Sequence, residues 1–203
     1  MGIRVREERE GDFPAIFRLI ESAFEGMEES DHREQFLVER LHRSGTYVPQ
    51  LSLVAESEEG EVAGYVLLTE VDIVEGEEKG DGEKSESAKS VKSLGVAPLA
   101  VRPDYQGQGI GGMLLKEAHR IAAALGYGSA VLLGHKDYYP RFGYRRAAEF
   151  GIKFPFDVPE EFCMAMELLP EALADVHGTV RYPDTFFRIN PIFDIRLLCS
   201  TRA

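Results

Sequence analysis

The sequence has 203 residues, of which 44% are hydrophobic and 29% charged, so it is long enough to bury the core of one domain. Its formal net charge of −12 excludes a general nucleic-acid binder, because neutralising phosphates requires clustered Lys and Arg. The N-terminus is charged from Arg4, no apolar run approaches the ~20 residues of a membrane helix, and the two cysteines lack metal spacing, which favours a cytoplasmic protein without a membrane partner.

The first quarter of the sequence predicts a strand and two helices. Apolar residues alternate in the strand and recur at helical spacing in the helices. Asp12 has the character of a helix N-cap, and Gly45 is expected to end the second helix. The predicted bounds are 3–7 for the strand, and 13–24 and 31–43 for the helices.

Two strands are predicted next, near 51–56 and 62–73, with Gly60 in the turn that joins them. Residues 75–90 lack large apolar groups and combine Gly, Ser and mixed charge, so they cannot bury enough surface to become ordered. We interpret them as an exposed, mobile, acidic hairpin loop. A regulatory or partner-binding role for this loop is the alternative.

The remaining sequence predicts four strands and one long helix. The helix, over 109–126, has one apolar face and ends at Gly126. A turn or short helix covers 138–142. The predicted strands lie near 91–101, 130–133, 145–154 and 162–168. We therefore expect one domain over 1–169 and an apolar C-terminal extension over 170–203, packed on the domain or at a homodimer interface.

A glycine-rich turn connects the strand over 91–101 to the long helix, within the segment PLAVRPDYQGQGIGGMLLKEAHRIA. Glycine lets the backbone adopt positive φ and approach a ligand closely. The unpaired N–H groups of a helix's first turn carry about half a positive charge, which suits a pyrophosphate. The glycines concerned are Gly107, Gly109, Gly111 and Gly112.

Four interpretations of this turn compete, three with a ligand and one without. Gly107, Gly109 and Gly112 match the dinucleotide fingerprint G-x-G-x-x-G, yet five residues separate the strand from the first glycine, whereas a dinucleotide unit leads directly into it. No Gly-Lys-Ser/Thr follows, which excludes a P-loop. A glycine-rich helix start without a ligand would reduce stability with no gain.

The third ligand interpretation comes from a resemblance to a known family. The string Gln106–Gly111 fits Q/R-x-x-G-x-G/A, and the sequence resembles the GNAT N-acetyltransferase superfamily over most of its length. The segments LLGHKDYYPRFGYR, KFPFDVPEEFCMAMEL and GTVRY resemble its YhbS-like branch. The resemblance implies an α/β (α+β) fold: a mixed, mostly antiparallel, twisted sheet flanked by helices and splayed between its fourth and fifth strands.

The resemblance also implies that acetyl-CoA lies in this splayed gap. Its pantetheine arm would pair with the fourth strand, and its pyrophosphate would accept backbone N–H groups of the glycine turn. The residues implied for pantetheine are Leu99, Ala100 and Val101, and those for pyrophosphate are Gln106, Gly107, Gln108, Gly109, Ile110, Gly111 and Gly112.

The general acid implied by the resemblance is Tyr139, which lies four residues before the glycine of a Y-x-x-x-G-F/Y pattern completed by Gly143 and Tyr144. A tyrosine with a pKa near 10 is protonated at pH 7 and can donate to the departing thiolate. The alternative is that Tyr138 and Tyr139 are packing groups. Phe142 is expected beside the cofactor or in the core.

The general base is less defined, because the strand over 91–101 lacks the glutamate that many GNAT enzymes carry there. His135 is the best titrating alternative, and Asp137 and Glu21 are weaker ones. Deprotonation through water, or binding of an already neutral amine, is equally compatible. His119 is expected to be exposed, and no residue spacing predicts a metal site.

We therefore expect an acetyl-CoA-dependent N-acetyltransferase whose acceptor is a primary amine on a small molecule or peptide. The main alternative is a non-catalytic acyl-CoA-binding regulatory module, and a nucleotide-binding oxidoreductase is a more distant one.

Overall fold

The computed structural model describes residues 2–26, 32–76 and 89–187. These ranges contain three α-helices and nine β-strands. In chain order they are β1 (Ile3–Glu7), α1 (Phe13–Phe24), α2 (Glu34–His42), β2 (Tyr47–Ser57), β3 (Val62–Val74), β4 (Ser90–Val101), α3 (Ile110–Ala124), β5 (Ser129–Leu133), β6 (Arg145–Arg146), β7 (Ile152–Lys153), β8 (Cys163–Glu167) and β9 (Gly178–Arg181). Each helix within these ranges is too short or too polar to span a bilayer.

The strands form one mixed sheet between two layers of helix. The strand order is β1-β2-β3-β4-β5-β8-β6, and β9 lies beside β3 and β7. Neighbours are antiparallel except for the pairs β4–β5 and β7–β9. Helices α1 and α2 contribute to the core on one face, and α3 to the core on the other. The predicted mixed, mostly antiparallel sheet flanked by helices is confirmed.

The parallel pair β4–β5 separates after a short contact. Its paired positions are Leu94–Ala130 and Gly95–Val131. The register between β3 and β4 then shifts by one residue between Val96 and Leu99, and such a bulge bends the strand that contains it. Beyond this point β4 has no strand partner on its β5 side within the described ranges. We call the gap between Val96–Val101 and Leu132–Leu133 the slot; it is the splay predicted between the fourth and fifth strands.

One sequence-based assignment differs from the structure, and one segment without an assignment forms a strand. The single strand predicted near 145–154 is interrupted by a 3-10 turn over Ala147–Phe150, which separates β6 from β7. Gly151, with φ of 71°, follows this turn in a left-handed conformation that a continuous strand does not contain. In the extension that had no assigned path, β9 pairs with β3 at Asp72–Val74, beyond the end of the β2 pairing.

Some predictions fall outside the described ranges. Residues 77–88 of the predicted acidic loop are among them, as is Asp31, the expected start of the second helix. Within the extension, which was predicted to pack on the domain or at a homodimer interface, Leu173, Val180 and Phe186 are buried in the core, and residues 188–203 are outside the described ranges. The division of the chain after residue 169 stays a prediction.

Arg6 joins β1, β2 and the start of α1. Its guanidinium donates to both carboxylate oxygens of Asp12, at 2.6 and 3.0 Å, and to Glu56 at 2.7 and 3.0 Å. Asp12 precedes α1 as predicted, but its side chain does not cap that helix and instead accepts the Arg9 N–H at 2.7 Å. The hydrogen bonds from Arg6 hold the pKa of Asp12 below its usual 3.8.

A carboxyl whose pKa is lowered on folding stabilises the protein above its unfolded pKa, and this stabilisation disappears as the pH falls through the folded pKa. We expect Asp12→Asn to lower the free energy of unfolding at pH 7 by about 1–3 kcal/mol, because it breaks charged hydrogen bonds to a mostly buried arginine. The deficit should shrink as the pH falls from 3.8 toward the lower folded pKa of Asp12, since the unfolded wild-type chain then binds a proton that the folded carboxylate still excludes. Urea unfolding followed by circular dichroism from pH 7 to pH 2.5 measures this dependence of the deficit on pH.

The exposed Asp157→Asn is the control for this prediction. A pH-independent deficit in Asp12→Asn would contradict the expectation.

Candidate active site

The turn between β4 and α3 keeps its backbone accessible at two glycines. Gly107 and Gly109 have φ values of 74° and 80°, in the left-handed region that favours glycine. A Cβ atom at either position would meet nothing within 4 Å, so the space beside the turn is open. The Gln106 side chain donates to the Val101 carbonyl at 3.1 Å and ties the turn to the end of β4.

The first turn of α3 presents free backbone donors. The Met113 N–H bonds the Gly109 carbonyl at 3.1 Å, so the N–H groups of Ile110, Gly111 and Gly112 precede the helix's own bonding pattern. The positive end of the helix dipole lies at the same place. This donor set, with the open space beside it, fits the diphosphate for which Gln106–Gly112 were predicted.

Close packing brings the start of α3 against the sheet. A Cβ at Gly64 on β3 would lie 2.9 Å from the Ile110 side chain and 3.0 Å from that of Leu114. Only glycine at this position lets the helix approach so closely. The helix start is therefore held at the end of β4, beside the slot.

One wall of the slot is the end of β4, with the predicted pantetheine residues Leu99, Ala100 and Val101. All three are buried and pair with β3 on one side. On the other side no strand in the described residues takes up their backbone groups. Unpaired strand edges bind extended chains through N–H and C=O groups, so this edge fits the amides of a pantetheine arm.

Tyr139 lies across the slot, in a 3-10 turn (Tyr139–Phe142) that follows β5. Its side chain is 2% exposed. A Cβ at Gly134 would collide with Tyr139 Cε2, so glycine is required there for the ring to rest on the end of β5. The Tyr138 ring meets the Tyr139 ring edge-on, with centroids 5.1 Å apart.

Phe142 connects this turn to α3. A Cβ at Gly112 would lie 2.9 Å from Phe142 Cε1, so the ring touches the first turn of the helix. Tyr138 packs at 5.2 Å from Phe142 and has the Arg141 guanidinium 4.5 Å from its own ring centroid. Burial raises the pKa of Tyr138 to about 12, as expected for a packed aromatic group.

The candidate bases lie in two parts of the molecule, after β5 and on α1. His135 follows β5, and half of its side chain is exposed. Its Nδ1 lies 3.8 Å from Asp137 Oδ2 and 3.4 Å from the Asp137 backbone nitrogen. The Tyr139 N–H donates to the His135 carbonyl at 3.4 Å, so these three residues share one turn. Glu21 lies on the exposed surface of α1.

His119 is not exposed, contrary to the sequence-based expectation. It is half-buried on α3, and its Nε2 lies 3.0 Å from the Tyr144 hydroxyl. Burial lowers the pKa of His119 to about 4, so the imidazole is neutral at pH 7. The helical spacing from buried Leu115 and Ala122 is the signal that could have placed it against the core.

A second polar cluster, which the sequence did not reveal, lies on the α1/α2 face of the sheet. The Glu8 carboxylate accepts from Ser52 and lies 3.0 Å from His42 Nε2. The Tyr65 hydroxyl lies 2.8 Å from Ser52 Oγ. No three His, Cys, Asp or Glu residues in the described ranges could together bind a metal ion.

Comparison with known proteins identifies the family to which the chain is similar. Residues 49–146 match the model of the acetyltransferase (GNAT) domain. The chain is 33% identical to the uncharacterized N-acetyltransferase YhbS of Escherichia coli K12, over 91% of this chain and 98% of that protein. It is 32% identical to the uncharacterized N-acetyltransferase YjhQ of the same organism, over 75% and 79%.

Two similar solved structures contain the cofactor. Escherichia coli YhbS in complex with CoA superposes with a TM-score of 0.77 at 31% identity, over 97% of this chain and 94% of that one. A GNAT family acetyltransferase from Brucella melitensis in complex with acetyl-CoA gives a TM-score of 0.68 at 28% identity, over 91% and 98%. The resemblance found in the sequence is thereby confirmed: the chain belongs to the GNAT family of N-acetyltransferases.

Proposed function

We propose that this N-acetyltransferase transfers the acetyl group of acetyl-CoA to a primary amine, with Tyr139 as the general acid. The observation that carries the proposal is the slot: an accessible glycine turn lies at one end of it, and a buried tyrosine lies across it. Two relatives of the same fold are in complex with CoA or acetyl-CoA.

Acetyl-CoA, when bound, supplies an acetyl group activated as a thioester. The backbone N–H groups of Gln106–Gly112 bind its diphosphate at the positive end of α3. The free edge of β4 at Leu99–Val101 bonds the pantetheine amides, and Phe142 packs beside the helix start. The wall residues are buried, so the reacting carbonyl is kept from water.

The neutral amine attacks the thioester carbonyl carbon, and the carbon–sulfur bond of the resulting tetrahedral intermediate then breaks. Tyr139 donates its hydroxyl proton to the departing sulfur, and its phenolate regains a proton from the acylated nitrogen. A phenol with an ordinary pKa near 10 is protonated at pH 7, so it can supply the proton that converts the departing thiolate into a neutral thiol. The Tyr139 ring is held by Gly134 and Tyr138, so its orientation is established before substrate binds.

Removing the proton of the amine is the second requirement. A lysine-like amine with a pKa near 10.4 is only about one part in 2,500 neutral at pH 7. His135 lies in the same turn as Tyr139 and is open to solvent, so it can pass this proton to bulk water.

We expect His135→Gln to lower kcat/KM at pH 7 about 100-fold, the usual scale of general-base catalysis. Steady-state rates at pH 7 measure this change. His177→Gln is the control, because it removes an exposed imidazole that pairs with Glu75. An unchanged kcat/KM in His135→Gln would leave deprotonation to water.

A thiol-release assay tests the function as a whole. Acetyl-CoA is incubated with polyamines, amino sugars, amino acids, peptides with free N-termini and lysine side-chain analogues, and CoA binding is measured separately by calorimetry. We expect CoA to bind and thiol release to depend on the acceptor. Binding without release across the panel would favour a non-catalytic acyl-CoA-binding module, and absence of binding would overturn the proposal.

A further inference from the structure

Tyr144 lies directly behind the proposed acid. It is 2% exposed, and its ring meets the Tyr139 ring edge-on, with centroids 5.7 Å apart and an interplanar angle of 77°. Such edge-to-face contacts are the preferred geometry of aromatic pairs. Because Tyr138 packs on another side of Tyr139 at 5.1 Å, the orientation of the Tyr139 ring depends on where these two neighbours lie.

The position of the Tyr144 ring is in turn set by His119. The Tyr144 hydroxyl and His119 Nε2 are 3.0 Å apart, and the two rings are in contact with centroids 5.5 Å apart. Both groups are neutral at physiological pH, since burial lowers the pKa of His119 to about 4 and raises that of Tyr144 well above its usual 10. A buried hydroxyl that lost this partner would have to find another.

His119 belongs to the same helix whose first turn is proposed to bind the diphosphate. It lies nine residues after Ile110, about 14 Å along the axis at 1.5 Å per residue. The diphosphate site and the support of the acid are therefore attached to one rigid element. The chain of contacts runs from α3 through Tyr144 to Tyr139.

We propose that His119 and Tyr144 are positioning residues for Tyr139. Their hydrogen bond holds the Tyr144 ring, which keeps the Tyr139 hydroxyl directed at the sulfur of a thioester whose diphosphate is bound by the same helix. The proposal rests on the proposed role of Tyr139 as general acid. Both residues act through Tyr139 and touch no reacting atom.

The first test is a double-mutant cycle. Tyr144→Phe keeps the ring and removes the hydroxyl, and we expect kcat to fall about tenfold with KM for acetyl-CoA within twofold, because the acid is misplaced while the cofactor site is intact. In a Tyr139→Phe background the same substitution should change kcat less than twofold. A purely structural residue would lower kcat equally in both backgrounds, and that result would overturn the inference.

Two further variants separate the hydrogen bond from general packing. His119→Gln can still offer a polar atom near the position of Nε2 and should retain most of kcat, whereas His119→Leu should resemble Tyr144→Phe. Tyr127→Phe is the control, since it also removes a tyrosine hydroxyl, one that donates to Glu70 at 2.8 Å outside the slot. It should leave kcat unchanged.

A readout without acetyl-CoA completes the test. In the free enzyme labelled with 13Cζ-tyrosine, the Tyr139 resonance, assigned by its loss in Tyr139→Phe, should shift in Tyr144→Phe and His119→Leu but not in Tyr127→Phe. If Tyr144→Phe has wild-type kcat and an unshifted Tyr139 resonance while Tyr139→Phe is impaired, this inference fails and the function stands. If Tyr139→Phe is itself unimpaired, the acid assignment fails first.

Discussion

Tyr139→Phe is expected to lower kcat for acetyl transfer by about 100- to 10,000-fold, the range typical of losing a general acid or base. KM for acetyl-CoA should stay within about threefold, because phenylalanine keeps the ring that packs on Gly134 and Tyr138. In the proposed mechanism the removed hydroxyl acts in the step in which the carbon–sulfur bond breaks. Steady-state thiol release with a responsive acceptor, together with CoA calorimetry, measures the two quantities separately.

Tyr138→Phe is the matched control for this result. It removes a hydroxyl from the adjacent buried ring, whose contacts with Phe142 and Arg141 are those of a packing group. We expect its kcat to stay within a few-fold of wild type, in keeping with the modest effect of removing a packing-site hydroxyl. Equal losses in both variants would assign the effect to disturbed packing, and an unimpaired Tyr139→Phe would move the acid role to another group.

Gly109→Ala is expected to weaken CoA binding by tenfold or more, a loss of at least about 1.4 kcal/mol. At φ of 80° an alanine is strained by roughly 1–2 kcal/mol. Its methyl group would also project into the open space beside the turn, where the diphosphate is proposed to lie. Calorimetric titration with CoA measures the change in affinity, and thermal unfolding measures the change in stability.

Gly126→Ala separates strain from ligand contact. Gly126 follows the other end of α3 and has φ of 88°, and a methyl group added there would likewise meet nothing within 4 Å. Both variants should therefore lose similar stability, while only Gly109→Ala should lose CoA affinity. Wild-type affinity in Gly109→Ala would reject the glycine turn as the diphosphate site, and equal affinity losses would show that stability alone was responsible.

Local signals predicted the elements that carry their own pattern. The apolar face of α3 and the glycines before it lie within one segment, so the helix start and its free N–H groups followed from adjacent residues. Predicted strands near 62–73 and 91–101 correspond to β3 and β4, because long apolar runs between turn signals are distinctive. The prediction of one strand over 145–154 was wrong, because a 3-10 turn over Ala147–Phe150 and the left-handed Gly151 interrupt it.

In the candidate site as well, residues in short local motifs were predicted, whereas contacts between distant residues were not. Gln106–Gly112 and Tyr139 were named from short motifs, and their assignment to CoA binding and acid catalysis remains a prediction. His119 was misplaced, since an isolated histidine on a helix gives no sign that a tyrosine 25 residues later will reach its imidazole. The cluster of Glu8, His42 and Ser52 was invisible because three different parts of the chain contribute to it.

By itself the sequence determined most of the helices and strands, where the backbone offers unpaired donors beside glycines, and to which family the chain belongs. Each of these is a property of residues close together in the chain or of a motif read in order. Only the tertiary structure decided that β4 and β5 pair at two positions and then separate, and that Tyr139 rests on Tyr144 and, through it, on α3. The physical reason is that an apolar pattern specifies which side of an element is buried, whereas strand register and side-chain packing between distant segments specify what it is buried against.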